Sequence, residues 1–115
     1  MKLNFDLART ILLKIALEGA SEHLEIPDHS QQEISEYIRL LDRAGLVEGH
    51  DISVPGRFRW QASYVTYEGT QFLADAREDS VWEKAKVMAA NQGAVSLESL
   101  KKMLPHAAKE LTLTK

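Results

Sequence analysis

Two junctions constrain this chain more than any other feature. The first lies in Ser30 to Gly49, SQQEISEYIRLLDRAGLVEG, where a helical pattern stops at Ala44-Gly45 and runs directly into the apolar pair Leu46-Val47. The second lies in Ser63 to Arg77, SYVTYEGTQFLADAR, where a strand pattern turns at Thr66 into another helix. Ser30 followed by Glu33 reads as a capping box, in which a hydroxyl and a carboxylate satisfy N–H groups at a helix start. Ile34, Tyr37, Ile38, Leu41 and Ala44 then share one helical face, with Gln31, Gln32, Ser35, Glu36, Arg39, Asp42 and Arg43 mostly on the other. Gly45 suits the left-handed backbone that ends a helix, which a Cβ resists. Between the junctions, Val54-Pro55-Gly56 has turn chemistry. Phe58, Trp60, Ala62 and Tyr64 alternate with Arg57, Arg59, Gln61 and Ser63 along a returning strand. The junctions therefore bracket a β-hairpin between Gly45 and Thr66.

Outside this centre the pattern is helical. A first helix from Asn4 or Asp6 to Glu18 carries Leu7, Ala8, Ile11 and Ile15 at helical spacing, and Leu12, Leu13, Ala16 and Leu17 widen its apolar stripe toward burial on more than one side. Asn4 suits its N-cap, Asp6 its positive dipole end and Gly19 its stop. Residues 20–29 are irregular, with Leu24 and Ile26 alternating about Glu25 as a short edge strand that Pro27 ends. Thr66 caps a helix through Ala76, and Asp79 or Ser80 starts another with Val81, Trp82, Ala85 and Met88 as anchors. Ser96 caps a last helix through Leu97, Leu100 and Leu104, which Pro105 ends, leaving a frayed tail. The expected core is Leu7, Ile11, Ile15, Ile34, Ile38, Leu41, Leu46, Phe72, Leu73 and Trp82.

The chain of 115 residues suits one domain with a small helical extension, and an apolar fraction of 44% supports a core. The absence of cysteine excludes disulfides, cysteine zinc sites and thiol nucleophiles. Asp6, Arg9, Lys14 and Glu18 interrupt the apolar start, so it reads neither as a signal peptide nor as a membrane span, and a soluble cytoplasmic protein with no membrane partner is expected. Net charge is −3, from 14 Lys and Arg against 17 Asp and Glu. Proteins that bind DNA carry a basic excess or stripe, so a nucleic-acid role here needs a local patch.

Helix, hairpin and helix in this order are the layout of a winged-helix domain. The fold expected is α+β: a winged-helix-like domain over 1–78, with a small antiparallel hairpin sheet, and a helical extension over 79–115 packed on it or used for dimerisation. AGLVEG and VTYEGTQFL resemble the helix-to-wing and wing-to-helix junctions of winged-helix transcription regulators. MKLNFDLARTILLKI, EISEYIRLLDRAGLVEG and YVTYEGTQFLADAREDSVWEKAK resemble, in order, the bacterial and phage family called domain of unknown function 2513. That resemblance implies a fold and a phage or mobile-element setting, and assigns no mechanism.

The function class that follows is a DNA-binding or transcription-associated module. Its candidate DNA contacts are Gln31, Gln32, Ser35, Arg39 and Arg43 on the helix before the hairpin, with Arg57 and Arg59 on the wing. Glu33 and Glu36 on the same helix would repel phosphate, and the bland alternative is a solvated face of mixed charge. The second class is a protein-interaction adaptor that keeps the scaffold without a DNA site. A homodimer through the C-terminal helices would use Val81, Val87, Met88, Leu97, Leu100, Met103 and Leu104. His23, Glu25, Asp28 and His29 cluster in sequence, but the four histidines lack metal-ligand spacing, so a surface loop is expected and no metal or cofactor. Nucleophile elbow, Walker loop and glycine-rich dinucleotide turn are absent, and no enzyme is expected. Among the aromatics, Trp82 and Phe72 are expected in the core, while Trp60 and Tyr64 are open between core and interface.

Overall fold

The computed structural model describes residues 3–19, 24–93 and 96–113. Its elements are α1 (Phe5–Glu18), α2 (Gln31–Arg43), β1 (Val47–Asp51), β2 (Trp60–Val65), α3 (Tyr67–Ala76), α4 (Asp79–Asn91) and α5 (Leu97–Leu113). The class is α+β, and α2–β1–β2–α3 is consistent with a winged-helix-like arrangement. All ten residues expected in the core are buried.

The two sequence junctions touch each other. At the end of α2, Gly45 adopts φ 79°. Its N–H donates to Asp42 O at 3.0 Å, and Leu46 N–H donates to Leu41 O at 2.9 Å, the paired bonds of a Schellman ending. The chain leaves in the direction of β1 and returns along β2 to the same place. There Thr66 N–H donates to Leu46 O at 3.0 Å, and its hydroxyl donates to Gly45 O at 2.5 Å while accepting from Gly69 N–H at 3.0 Å. A Cβ on Gly69 would stand 2.0 Å from Leu46 O, so only glycine allows α3 this close to the strand backbone. Lys101 of α5 closes the knot, donating to Ala44 O at 3.0 Å and pairing with Glu68 at 2.5 Å.

The hairpin is antiparallel, and a β-bulge interrupts its register: Glu48 faces Tyr64 but Gly49 faces Ala62. The extra residue reverses the in–out phase along β2. Simple alternation places Trp60, Ala62 and Tyr64 on one face. In the molecule Ala62 is buried and Trp60 half-buried, whereas Tyr64 is 56% exposed and Val65 turns inward opposite buried Val47.

Three expectations are corrected. Ala16 is exposed and Leu17 is 85% exposed, so the apolar stripe of α1 is narrower than its composition suggests. Leu24 and Ile26 form no strand, although Leu24 is buried. Side chains take the carbonyls a strand partner would use: Gln31 donates to Leu24 O at 2.8 Å and Lys14 to Glu25 O at 2.7 Å. Pro105 does not end the last helix but lies within α5. The missing N–H and the ring's crowding cost about 3 kcal/mol in a helix interior. Packing along α4 offsets this, with Leu104 and Ala107 buried on either side of the proline and Glu110 pairing with Lys84 at 3.2 Å. The start of α5 is capped by Ser96, as its sequence suggests. Ser96 Oγ accepts from Ser99 N–H at 3.1 Å, and Ser99 Oγ donates to Ser96 O at 2.8 Å.

Of the apolar set considered for a dimer, Val87 is exposed, while Val81, Leu97, Leu100 and Leu104 are buried within the chain and Met88 and Met103 partly so.

Candidate nucleic-acid interface

The helix before the hairpin presents to solvent a stripe of Gln32, Glu36, Arg39 and Arg43, with Gln32 and Arg43 exposed and the middle pair half-buried. The other polar residues of α2 hold the hairpin or the preceding loop. Ser35 is 1% exposed, and its hydroxyl accepts from Trp60 N–H at 3.1 Å. This removes Ser35 from the candidate DNA contacts: although one turn from Arg39, it lies on the flank covered by β2. Asp42 accepts from Gly49 N–H at 2.9 Å on the adjoining strand. Gln31 spends its amide on Leu24 O. Ser30 accepts from Glu33 N–H at 3.1 Å as a cap should, but the Glu33 carboxylate pairs with His29 Nδ1 at 2.7 Å in place of the reciprocal bond of a full box.

Arg39 joins helix to wing. Its Nη2 donates to Glu36 Oε2 at 2.7 Å, and its guanidinium carbon lies 5.8 Å from the Phe58 ring centroid. Phe58 is flanked in sequence by Arg57 and Arg59, so Arg39 is tied to the segment that carries the wing arginines. The wing ends in a turn with Gly56 at φ 82°, after which Val54 and Arg57 exchange hydrogen bonds at 3.1 and 2.9 Å. Arg57 is exposed and forms no ion pair among the described residues, whereas Arg59 is half-buried. The two wing arginines are therefore unequal, although period-two spacing makes them look equivalent. Two buried donors at this seam, Arg39 Nε and Trp60 Nε1, have no hydrogen-bond partner among the described residues.

The same surface carries opposing features. Asp51 stands on the wing, and hydrogen bonds from the Ser53 side chain and then its backbone hold its carboxyl below the usual range, so it stays anionic. Ile52 and Val54 near the wing tip are substantially exposed. No group of His, Asp or Glu among the described residues is arranged to hold a metal ion. His23 of the sequence cluster lies outside the described residues. No helix among the described residues is long and apolar enough to cross a membrane.

A helix, a two-stranded antiparallel hairpin and a returning helix make an α+β arrangement consistent with a winged-helix-like fold. The chain belongs to the family of hypothetical proteins described as DUF2513, whose model matches residues 2–95. It is also similar to an uncharacterised protein of Haemophilus influenzae, at 31% identity over 108 residues covering 90% of this chain and 92% of that protein. No solved structure matches it.

Proposed function

We propose that this is a small DNA-binding or transcription-associated protein of phage or mobile-element type, a binding module and not an enzyme, which contacts duplex DNA with the solvent stripe of α2 and with the wing. The observation that carries the reading is Arg39 of α2 set over Phe58, the wing residue between Arg57 and Arg59 in sequence, on a chain of net charge −3. A local basic seam on an acidic protein is where a polyanion would dock. The contacts are Gln32, Arg39 and Arg43 from the helix and Arg57 and Arg59 from the wing. Gln31 and Ser35 serve the fold.

A salt titration with random-sequence duplex DNA tests this. Log affinity should fall linearly with log salt, and replacing Arg57 and Arg59 together by alanine should flatten the slope by roughly two. No binding at low salt and high protein concentration would end the reading. It would also move support to the second, a protein-interaction adaptor. Exposed Ile52 and Val54 beside Arg57 favour that alternative, because apolar side chains at a hairpin tip suit a protein surface better than a phosphate backbone.

A further inference from the structure

We propose that Glu36 is a specificity-determining residue that occupies Arg39 as an internal stand-in for phosphate. The inference rests on the DNA-binding reading above. Arg39 is one of two cations on the solvent-facing stripe of α2, one turn from Arg43 and linked to the wing through Phe58. Its outward-reaching Nη2 is already bound to a carboxylate oxygen at 2.7 Å. Carboxylate and phosphate offer arginine the same kind of anionic acceptor, so Glu36 fills the place a phosphate oxygen would take. Both side chains are about one-third exposed, at 30% and 29%, so solvent screens the pair only in part.

Two consequences follow for a duplex approaching this face. Arg39 must release Glu36 before it can hold a phosphate, and the released carboxylate then lies beside the polyanion. That carboxylate is tolerated where it meets a donor. In the major groove the donors are the exocyclic amines of cytosine and adenine, and cytosine N4 is the usual partner of an acidic side chain. Sequences presenting an amine opposite Glu36 are accepted, and others meet an unpaired carboxylate. Glu36 therefore lowers indiscriminate binding and ties the release of Arg39 to a base edge. The cation–π contact with Phe58 keeps the guanidinium aimed at the seam when Glu36 lets go.

The test is a double-mutant cycle on random-sequence duplex DNA, read by fluorescence anisotropy across a salt series. Glu36→Gln keeps the shape and removes the charge. It should tighten binding roughly three- to tenfold and steepen the log–log salt slope by about one, as Arg39 gains a phosphate. In the Arg39→Ala background the same change should gain nothing. Glu36→Ala is the second variant, and thermal unfolding of each protein checks that it is folded. If Glu36→Gln tightens binding equally without Arg39, the effect is general charge removal and the inference is overturned. If wild type binds with a salt-dependent affinity and Glu36→Gln leaves it unchanged, the inference falls while the DNA reading stands. If neither protein binds at low salt, both fall.

Discussion

The chain uses an arginine over an aromatic ring beside a carboxylate twice, with opposite outcomes. In the first case α1 meets α4. Arg9 lies 5.0 Å from the Trp82 ring centroid and donates to Ala76 O at 3.0 Å and Asp79 at 2.9 Å. Trp82 is fully buried, and its Nε1 donates to Asp6 at 2.7 Å, where Lys86 also donates at 2.8 Å. In the second case α2 meets the wing, with Arg39, Phe58 and Glu36 in the corresponding roles. There the ring is only half-buried, and Arg39 Nε and the nearby Trp60 Nε1 lack partners among the described residues. The α1–α4 cluster is closed about its ring, although its carboxylates Asp6 and Asp79 stay largely exposed. At the seam the ring itself stays partly exposed.

Trp82→Ala should be the largest blow to the closed cluster. It should cost about 3–5 kcal/mol, measured by urea unfolding, because the ring fills the centre of the core and packs edge-on to Phe72. A cost under about 1 kcal/mol would mean that the two clusters do not differ as argued. Ser35→Ala should cost about 1–3 kcal/mol, since it strips the Trp60 N–H of its acceptor. That would show the covered flank of α2 to be structural.

Asp6 supplies a pH test. Hydrogen bonds from Lys86 and then from Trp82 hold its carboxyl below the usual value of 3.8. A carboxylate with a depressed folded pKa stabilises above the unfolded value, and that contribution is lost as pH falls through the folded one. Asp6→Asn should therefore be less stable than wild type at neutral pH, by under about 1 kcal/mol for this largely exposed side chain, with the gap closing below about pH 4. A gap that persists at pH 2 would assign the loss to packing. Arg57→Ala should change stability least, within about 0.5 kcal/mol, yet reduce the salt slope of DNA binding by about one. A stability loss comparable to that of Ser35→Ala would make the wing tip part of the fold.

Much of this architecture is local and therefore legible. The cap at Ser30, the left-handed stop at Gly45, the cap at Thr66 and the amphipathic face from Ile34 to Leu41 each depend on residues within a turn or two, and each stands where the pattern places it. The family relationship is legible for the same reason, since its marks are these junctions. The last helix runs past its proline because the burial of Leu104 and Ala107 outweighs a rule that is purely local.

The chain by itself determined the order of elements, the core residues and the two junctions that meet at Leu46 and Thr66. Only the tertiary structure decided which polar residues remain available to a partner. Helical period alone puts Ser35 and Arg39 together on a polar face, one turn apart. The hairpin covers the first and leaves the second at the edge, because β2 crosses α2 on that flank and its Trp60 N–H needs an acceptor. The bulge at Glu48 and Gly49 likewise turns Tyr64 outward, a phase change set by pairing between residues nine or more apart in the chain. Long-range pairing assigns each hydrogen-bonding group its partner, and the groups left over after that assignment form the candidate site.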